Sequence, residues 1–114
     1  MILEIRDYHY RPDRVDDYRV WAEQAVDFFG DRWDLVGWWM DSGEEPLLMG
    51  EDPMDLRHGL ANITWMLRWD DREQREAEWA ALREDPEWMK LRDQHPGFDG
   101  YHQMAVRFME EVGA

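Results

Sequence analysis

The 114-residue chain has the length of one ordinary domain, long enough to bury a core without covalent staples, and it has no cysteine to make one. A net charge of −14 weighs against nucleic acid and against an anionic membrane surface, because both need a cationic face. Hydrophobic residues reach 44%, too many for a disordered chain, and eight residues are tryptophan, the side chain of large buried contacts and aromatic-lined cavities.

In ILEIRDYHYRP, residues 2 to 12, the first half reads as a first strand. Leu3, Ile5, Asp7 and His9 share one face by the period of two, while Glu4, Arg6, Tyr8 and Tyr10 share the other. Leu3 and Ile5 mark the first set for the core, so Asp7 and His9 form a polar end on an apolar face. Pro12 suits a helix start. After it Val15, Tyr18, Ala22, Ala25 and Phe29 recur at spacings of three and four, which predicts a helix over about 12–29 with Gly30 as its C-cap. LVGWWMD at 35–41 and NITWMLRW at 62–69 read as second and third strands, the latter separating Ile63, Trp65, Leu67 and Trp69 from Asn62, Thr64, Met66 and Arg68. Trp38 and Trp39 then fall on opposite sides of the sheet. Asp70 with Glu73 resembles a capping box for a second helix to about Arg83, and Asp85-Pro86 starts a short third one that ends before His95-Pro96-Gly97. YHQMAVRF at 101–108 completes a fourth strand, with His102, Met104, Val106 and Phe108 on one face.

The order β-α-β-β-α-β is the ferredoxin-like α+β arrangement, an antiparallel sheet of order 4-1-3-2 with its helices on one face. The other face carries large side chains as well, so a second copy is expected to cover it. The second and third strands are joined by about twenty residues, 42–61. A loop of that length in a compact domain is unusual. Its Leu47, Leu48, Met54 and Leu56 are expected to bury against the fold or a partner, as a lid or as a dimer arm.

Several motifs in this order resemble the NIPSNAP family of dimeric α+β barrel proteins. They are Glu4-Ile5-Arg6 with Tyr8 and Pro12, Leu35-Val36-Gly37-Trp38-Trp39, Trp69-Asp70, and Asp85-Pro86-Glu87-Trp88. The match spans nearly the whole chain, residues 1–114, as one domain with the 42–61 segment inserted. The resemblance implies a homodimer whose two sheets meet face to face. Its superfamily includes cofactor-free monooxygenases, polyketide cyclases, lactone isomerases and haem-degrading enzymes, and no cofactor is expected for this chain.

In the 4-1-3-2 order the start of the fourth strand lies beside the end of the first. His9, His102 and Asp7 are therefore expected at the mouth of a helix-covered pocket, the two imidazoles as general acid and base with Asp7 orienting one ring. Trp65, Trp69, Tyr101, Trp39 and His58 are the candidate substrate-binding residues. Glu4, Arg6, Tyr8, Gln103 and Arg107 are expected inside the dimer barrel, either as an ion-pair network or, around Arg6 and Arg107, as an anion cavity. The four histidines lack metal-ligand spacing, and no phosphate loop, nucleophile elbow or dinucleotide fingerprint is present, so no metal is expected. With no apolar run of about 20 residues and no cationic-then-apolar leader, a cytoplasmic protein is expected. Two functions fit. One is a cofactor-independent enzyme acting by proton transfer on a hydrophobic aromatic or polyketide-like small molecule, as in secondary metabolism. The other is a non-catalytic small-molecule-binding or assembly protein.

Overall fold

The computed structural model describes residues 1–52 and 54–113. Strands β1 (Ile2–Tyr10), β2 (Asp34–Met40), β3 (Ile63–Trp69) and β4 (Tyr101–Met109) form one antiparallel sheet in the order β2-β3-β1-β4. Helices α1 (Val15–Arg32), α2 (Arg72–Leu82) and α3 (Pro86–Asp93) accompany it, so the architecture is the expected ferredoxin-like α+β one. No helix of the described residues is long and apolar enough to cross a membrane.

Each helix follows from its local sequence, with three shifts from expectation. Pro12 opens a single 3₁₀ turn, and α1 begins only at Val15. The helix buries Tyr18, Trp21, Ala22, Ala25, Phe28 and Phe29, a stripe at spacings of three and four. It also runs through Gly30 to Arg32 instead of stopping there. Gly30 is tolerated inside the helix because Trp33 closes the last turn, its N–H bonded to the Phe29 carbonyl at 2.8 Å. The cap of α2 lies one residue further on than expected: Asp71 accepts the Gln74 N–H at 2.7 Å, and the Gln74 side chain returns to the Asp70 N–H at 2.6 Å. Asp85 caps α3 by accepting from Glu87 N and, more weakly, from Trp88 N.

The faces of β1 are reversed with respect to the sequence reading. Glu4, Arg6 and Tyr8 pair laterally with Leu67, Trp65 and Ile63 on β3, so they lie on the helix-covered side rather than in a dimer barrel. Leu3, Ile5, Asp7 and His9 face the opposite, uncovered side, together with Met66 on β3 and Gln103, Arg107 and Met109 on β4. The physical reason is polar satisfaction. Glu4 is fully buried, yet its carboxylate accepts from Arg6 Nη1 (2.7 Å), Arg75 Nε and Nη2 (both 3.0 Å), Trp69 Nε1 (2.9 Å) and Trp79 Nε1 (3.3 Å). A charge with that many donors can enter a core that an unpaired one cannot. Two of those donor residues, Arg75 and Trp79, belong to α2, which buries only Leu82 fully. The ion pair therefore docks a helix whose own apolar stripe is thin.

The segment 42–61 has no regular element among its described residues; Pro53 lies outside them. Within a single chain Leu47, Leu48, Met54 and Leu56 stay exposed, so the expected burial against the chain's own fold does not occur. None of them belongs to the helix-covered core or to the side chains packed against it.

Candidate functional site

Between the sheet and the helices lies a cavity of about 120 Å³, and nearly everything around it is aromatic. The sheet contributes Trp38, Trp65, Tyr8 and Tyr101; α1 contributes Tyr18, Trp21 and Phe29; α2 and α3 add Trp79 and Trp88. Phe98 and Met104, both about half exposed, mark its mouth. Packing explains why so many rings are needed. Trp38 and Trp65 stack at 4.0 Å with planes 10° apart, and Phe29 sits 5.0 Å from Trp65 and 5.6 Å from Trp88, so flat walls enclose a flat space.

The polar groups at this cavity are mostly donors. Tyr8 Oη accepts from Arg6 Nε and, at 2.9 Å, from Trp65 Nε1, which leaves its own proton free to point elsewhere. At the other end His95 Nδ1 accepts the Gly97 N–H at 2.9 Å. Its hydrogen is thereby fixed on Nε2, which donates to Tyr101 Oη at 2.8 Å, so the Tyr101 proton is also free. Burial lowers the His95 pKa to about 4, which keeps this ring neutral. Burial pushes the Tyr18 and Tyr101 phenols up, so both stay protonated as hydrogen-bond donors. Tyr18 Oη and Trp38 Nε1 are buried with no hydrogen-bond partner among the described residues.

This end of the site is held by one close approach. Tyr10 Oη donates to the Gly97 carbonyl at 2.6 Å, and the Tyr10 ring lies so near Gly100 that a Cβ there would fall 2.5 Å from Tyr10 Cζ. Only glycine lets the turn before β4 pass over that ring.

The structure assembles part of the expected set and separates the rest. Trp65 and Tyr101 line the cavity. Trp69 is buried against Glu4 instead, and Trp39 is half exposed on the uncovered side of the sheet, opposite Trp38. Asp7 orients no imidazole: Thr64 Oγ1 donates to it at 2.8 Å and Arg107 Nε lies 3.4 Å away. His9 is on that same uncovered face, its Nδ1 buried without a partner among the described residues. A register shift between His9 and Tyr10 pairs His9 with Gln103 and Tyr10 with Tyr101, which takes His102 out of the strand alternation. The ring of His102 lies 5.1 Å from that of His58 in the 42–61 segment. The expected gathering of His9, His102 and Asp7 at a helix-covered mouth is therefore not formed. One face shift on β1 moved Asp7 and His9 together.

Tyr18, Trp21, Phe29, Trp38, Trp79, Trp88, Phe98 and His95 were not among the sequence candidates. Their periodicity gave only a core signal, and no pattern in the chain marks a core aromatic as a cavity wall. For Arg6 and Tyr8 a signal existed in Tyr8 and Tyr10, which continue the Glu4-Arg6 face with large rings.

No protein-family model matches the chain, and no curated protein matches it. Solved structures do. A NIPSNAP domain protein from Burkholderia xenovorans aligns over 99% of this chain and 96% of its own, with 16% identity and a TM-score of 0.69. A NIPSNAP family protein of unknown function from Agrobacterium tumefaciens covers 96% of this chain and 86% of its own, with 17% identity and a TM-score of 0.70. An antibiotic biosynthesis monooxygenase covers 98% and 99%, with 12% identity and a TM-score of 0.60. The chain thus has the ferredoxin-like fold shared by NIPSNAP proteins and antibiotic biosynthesis monooxygenases, and it carries within that fold an aromatic cavity under its helices.

Proposed function

We propose that the protein is a cofactor-independent enzyme that takes the aromatic ring of a hydrophobic small molecule into this cavity and assists proton transfer at a carbon beside a carbonyl. The observation that carries the reading is the cavity itself, flat-walled, apolar and edged by hydroxyl donors. Its volume narrows the ligand. An engineered apolar cavity of about 150 Å³ binds benzene, so about 120 Å³ accepts one ring, and a polycyclic ligand must extend past Phe98 and Met104. When the proton leaves carbon, charge grows on the carbonyl oxygen. Tyr101, oriented by His95, and the unpartnered Tyr18 and Trp38 supply donors for it in a water-poor space. The departing proton goes to water at the mouth.

Acetophenone in deuterated buffer tests this reading, because its methyl protons exchange slowly alone and its ring fits the volume. Exchange followed by proton NMR is expected to accelerate in the presence of the protein, and Tyr101→Phe is expected to reduce the acceleration by about 10², the scale of a general acid. Binding without acceleration establishes the non-catalytic binding protein instead. Absence of binding removes both.

A homodimer is part of the same proposal. The uncovered sheet face presents Leu3, Met66, Trp39 and Met109, and the exposed leucines of 42–61 are available to the same partner. An interface of ordinary size, about 800 Å² per subunit, would bury them. Sedimentation equilibrium at micromolar concentration is expected to give twice the chain mass; a folded monomer there contradicts the arrangement. The cytoplasm is the location consistent with this chemistry.

A further inference from the structure

The deep wall of the cavity differs in charge from the rest of the molecule. Arg6 lies there with its guanidinium carbon 4.7 Å from the Trp79 ring centre and 5.4 Å from that of Trp65. Its Nε is spent on Tyr8 and its Nη1 on Glu4, while Nη2 makes no hydrogen bond among the described residues. Among the described residues Arg6 and Arg75 share Glu4, Arg75 also pairs with the exposed Glu76, and the exposed Arg72 lies outside the cavity lining. The cation that reaches the cavity is therefore the Arg6 guanidinium, in a chain of net charge −14. Glu4 cannot neutralise it further, since both its oxygens already serve two guanidiniums and two indoles.

We infer that the ligand is an aromatic anion, a one-ring carboxylate, whose ring lies between the tryptophans and whose oxygens meet Arg6 Nη2 and the Tyr8 hydroxyl. The inference rests on the aromatic cavity proposed above and adds the charge of its occupant. Both donors are in place before the ligand arrives. Tyr8 is a strong donor because Arg6 and Trp65 both load its oxygen with N–H groups. A buried guanidinium pairs with a carboxylate better than with a neutral amide, since the charge-assisted bonds are roughly twice as strong. Among the described residues no carboxylate lines the cavity, and the nearby Glu4 is already paired with Arg6 and Arg75.

Benzoate and benzamide, equal in shape and different in charge, separate this inference from the reading it rests on. Calorimetric titration of the full chain is expected to give at least tenfold tighter binding of benzoate. Arg6→Gln should erase the difference by weakening benzoate at least tenfold more than benzamide, while Arg6→Lys should keep a reduced preference. Circular dichroism and urea midpoints verify that each variant is folded. Equal binding of the two probes, or a preference that survives Arg6→Gln in a folded variant, overturns the anion and leaves the aromatic cavity standing. Binding of neither probe overturns both.

Discussion

Glu4→Gln should lower the unfolding free energy by about 3 kcal/mol, the low end for removing one partner of a buried ion pair. The substitution keeps the shape but leaves Arg6 and Arg75 facing each other without the anion between them, Arg75 retaining only the exposed Glu76. Both are slightly exposed, at 12% and 14%, so water relieves part of the cost. The same group sets a pH dependence. Burial alone would raise the Glu4 pKa, but the hydrogen bonds from Arg75 and Arg6 outweigh it and hold the carboxyl below its usual 4.5. The unfolded chain therefore takes up this proton first. The contribution is complete above about pH 4.5 and is lost as pH falls through the folded value. His95 acts in the same direction at higher pH: its folded pKa of about 4 lies below the ordinary 6.5, so its contribution is full above 6.5 and declines from there to about 4. Urea midpoints measured from neutral to acid pH should show both limbs in the wild type and a shallower lower limb in Glu4→Gln, where Asp13, Glu76, Asp85 and Asp99, also held below their usual range, still titrate. A lower limb undiminished by the substitution, or an unchanged midpoint at neutral pH, would refute the role given to Glu4.

Phe29→Ala should cost about 4 kcal/mol, within the usual range for truncating a buried phenylalanine. The ring is 1% exposed and lies against Trp33, Trp38, Trp65, Trp79 and Trp88, five rigid side chains on β2, β3, α2, α3 and the turn after α1. Rigid indoles cannot collapse into the vacated space, so most of the hole persists. Because Phe29 also lines the cavity, the hole joins it, and a two-ring ligand such as naphthalene should stabilise Phe29→Ala more than it stabilises the wild type. Thermal shifts with and without naphthalene measure this. A small loss of stability, or a variant indifferent to naphthalene, shows that the site collapses.

The elements were legible because each has a local cause. The stripe of Tyr18 to Phe29 makes a helix wherever it packs, Asp85 followed by Pro86 starts one, and the buried Trp65, Leu67 and Trp69 alternate with the less buried Thr64, Met66 and Arg68. Their order then restricts the sheet to the arrangement found, and solved structures of low identity share it.

The direction in which β1 faces was not legible in the same way. Both of its faces carry side chains that can be buried, Leu3 and Ile5 on one, Tyr8 and Tyr10 on the other, so hydrophobicity alone gives no decision. What decides is the surroundings of Glu4, where a fully buried carboxylate meets Trp69 from β3 and Arg75 and Trp79 from α2, donors up to 75 residues away in the chain. Strand period then carries Arg6 and Tyr8 to the cavity and Asp7 and His9 away from it. The sequence by itself determined the elements, their order and the aromatic composition of the core, because these depend on near neighbours and on burial. Only the tertiary structure decided which rings enclose a space, which charge lies at its end and which histidine touches it, because those depend on hydrogen-bond partners that the chain brings together only on folding.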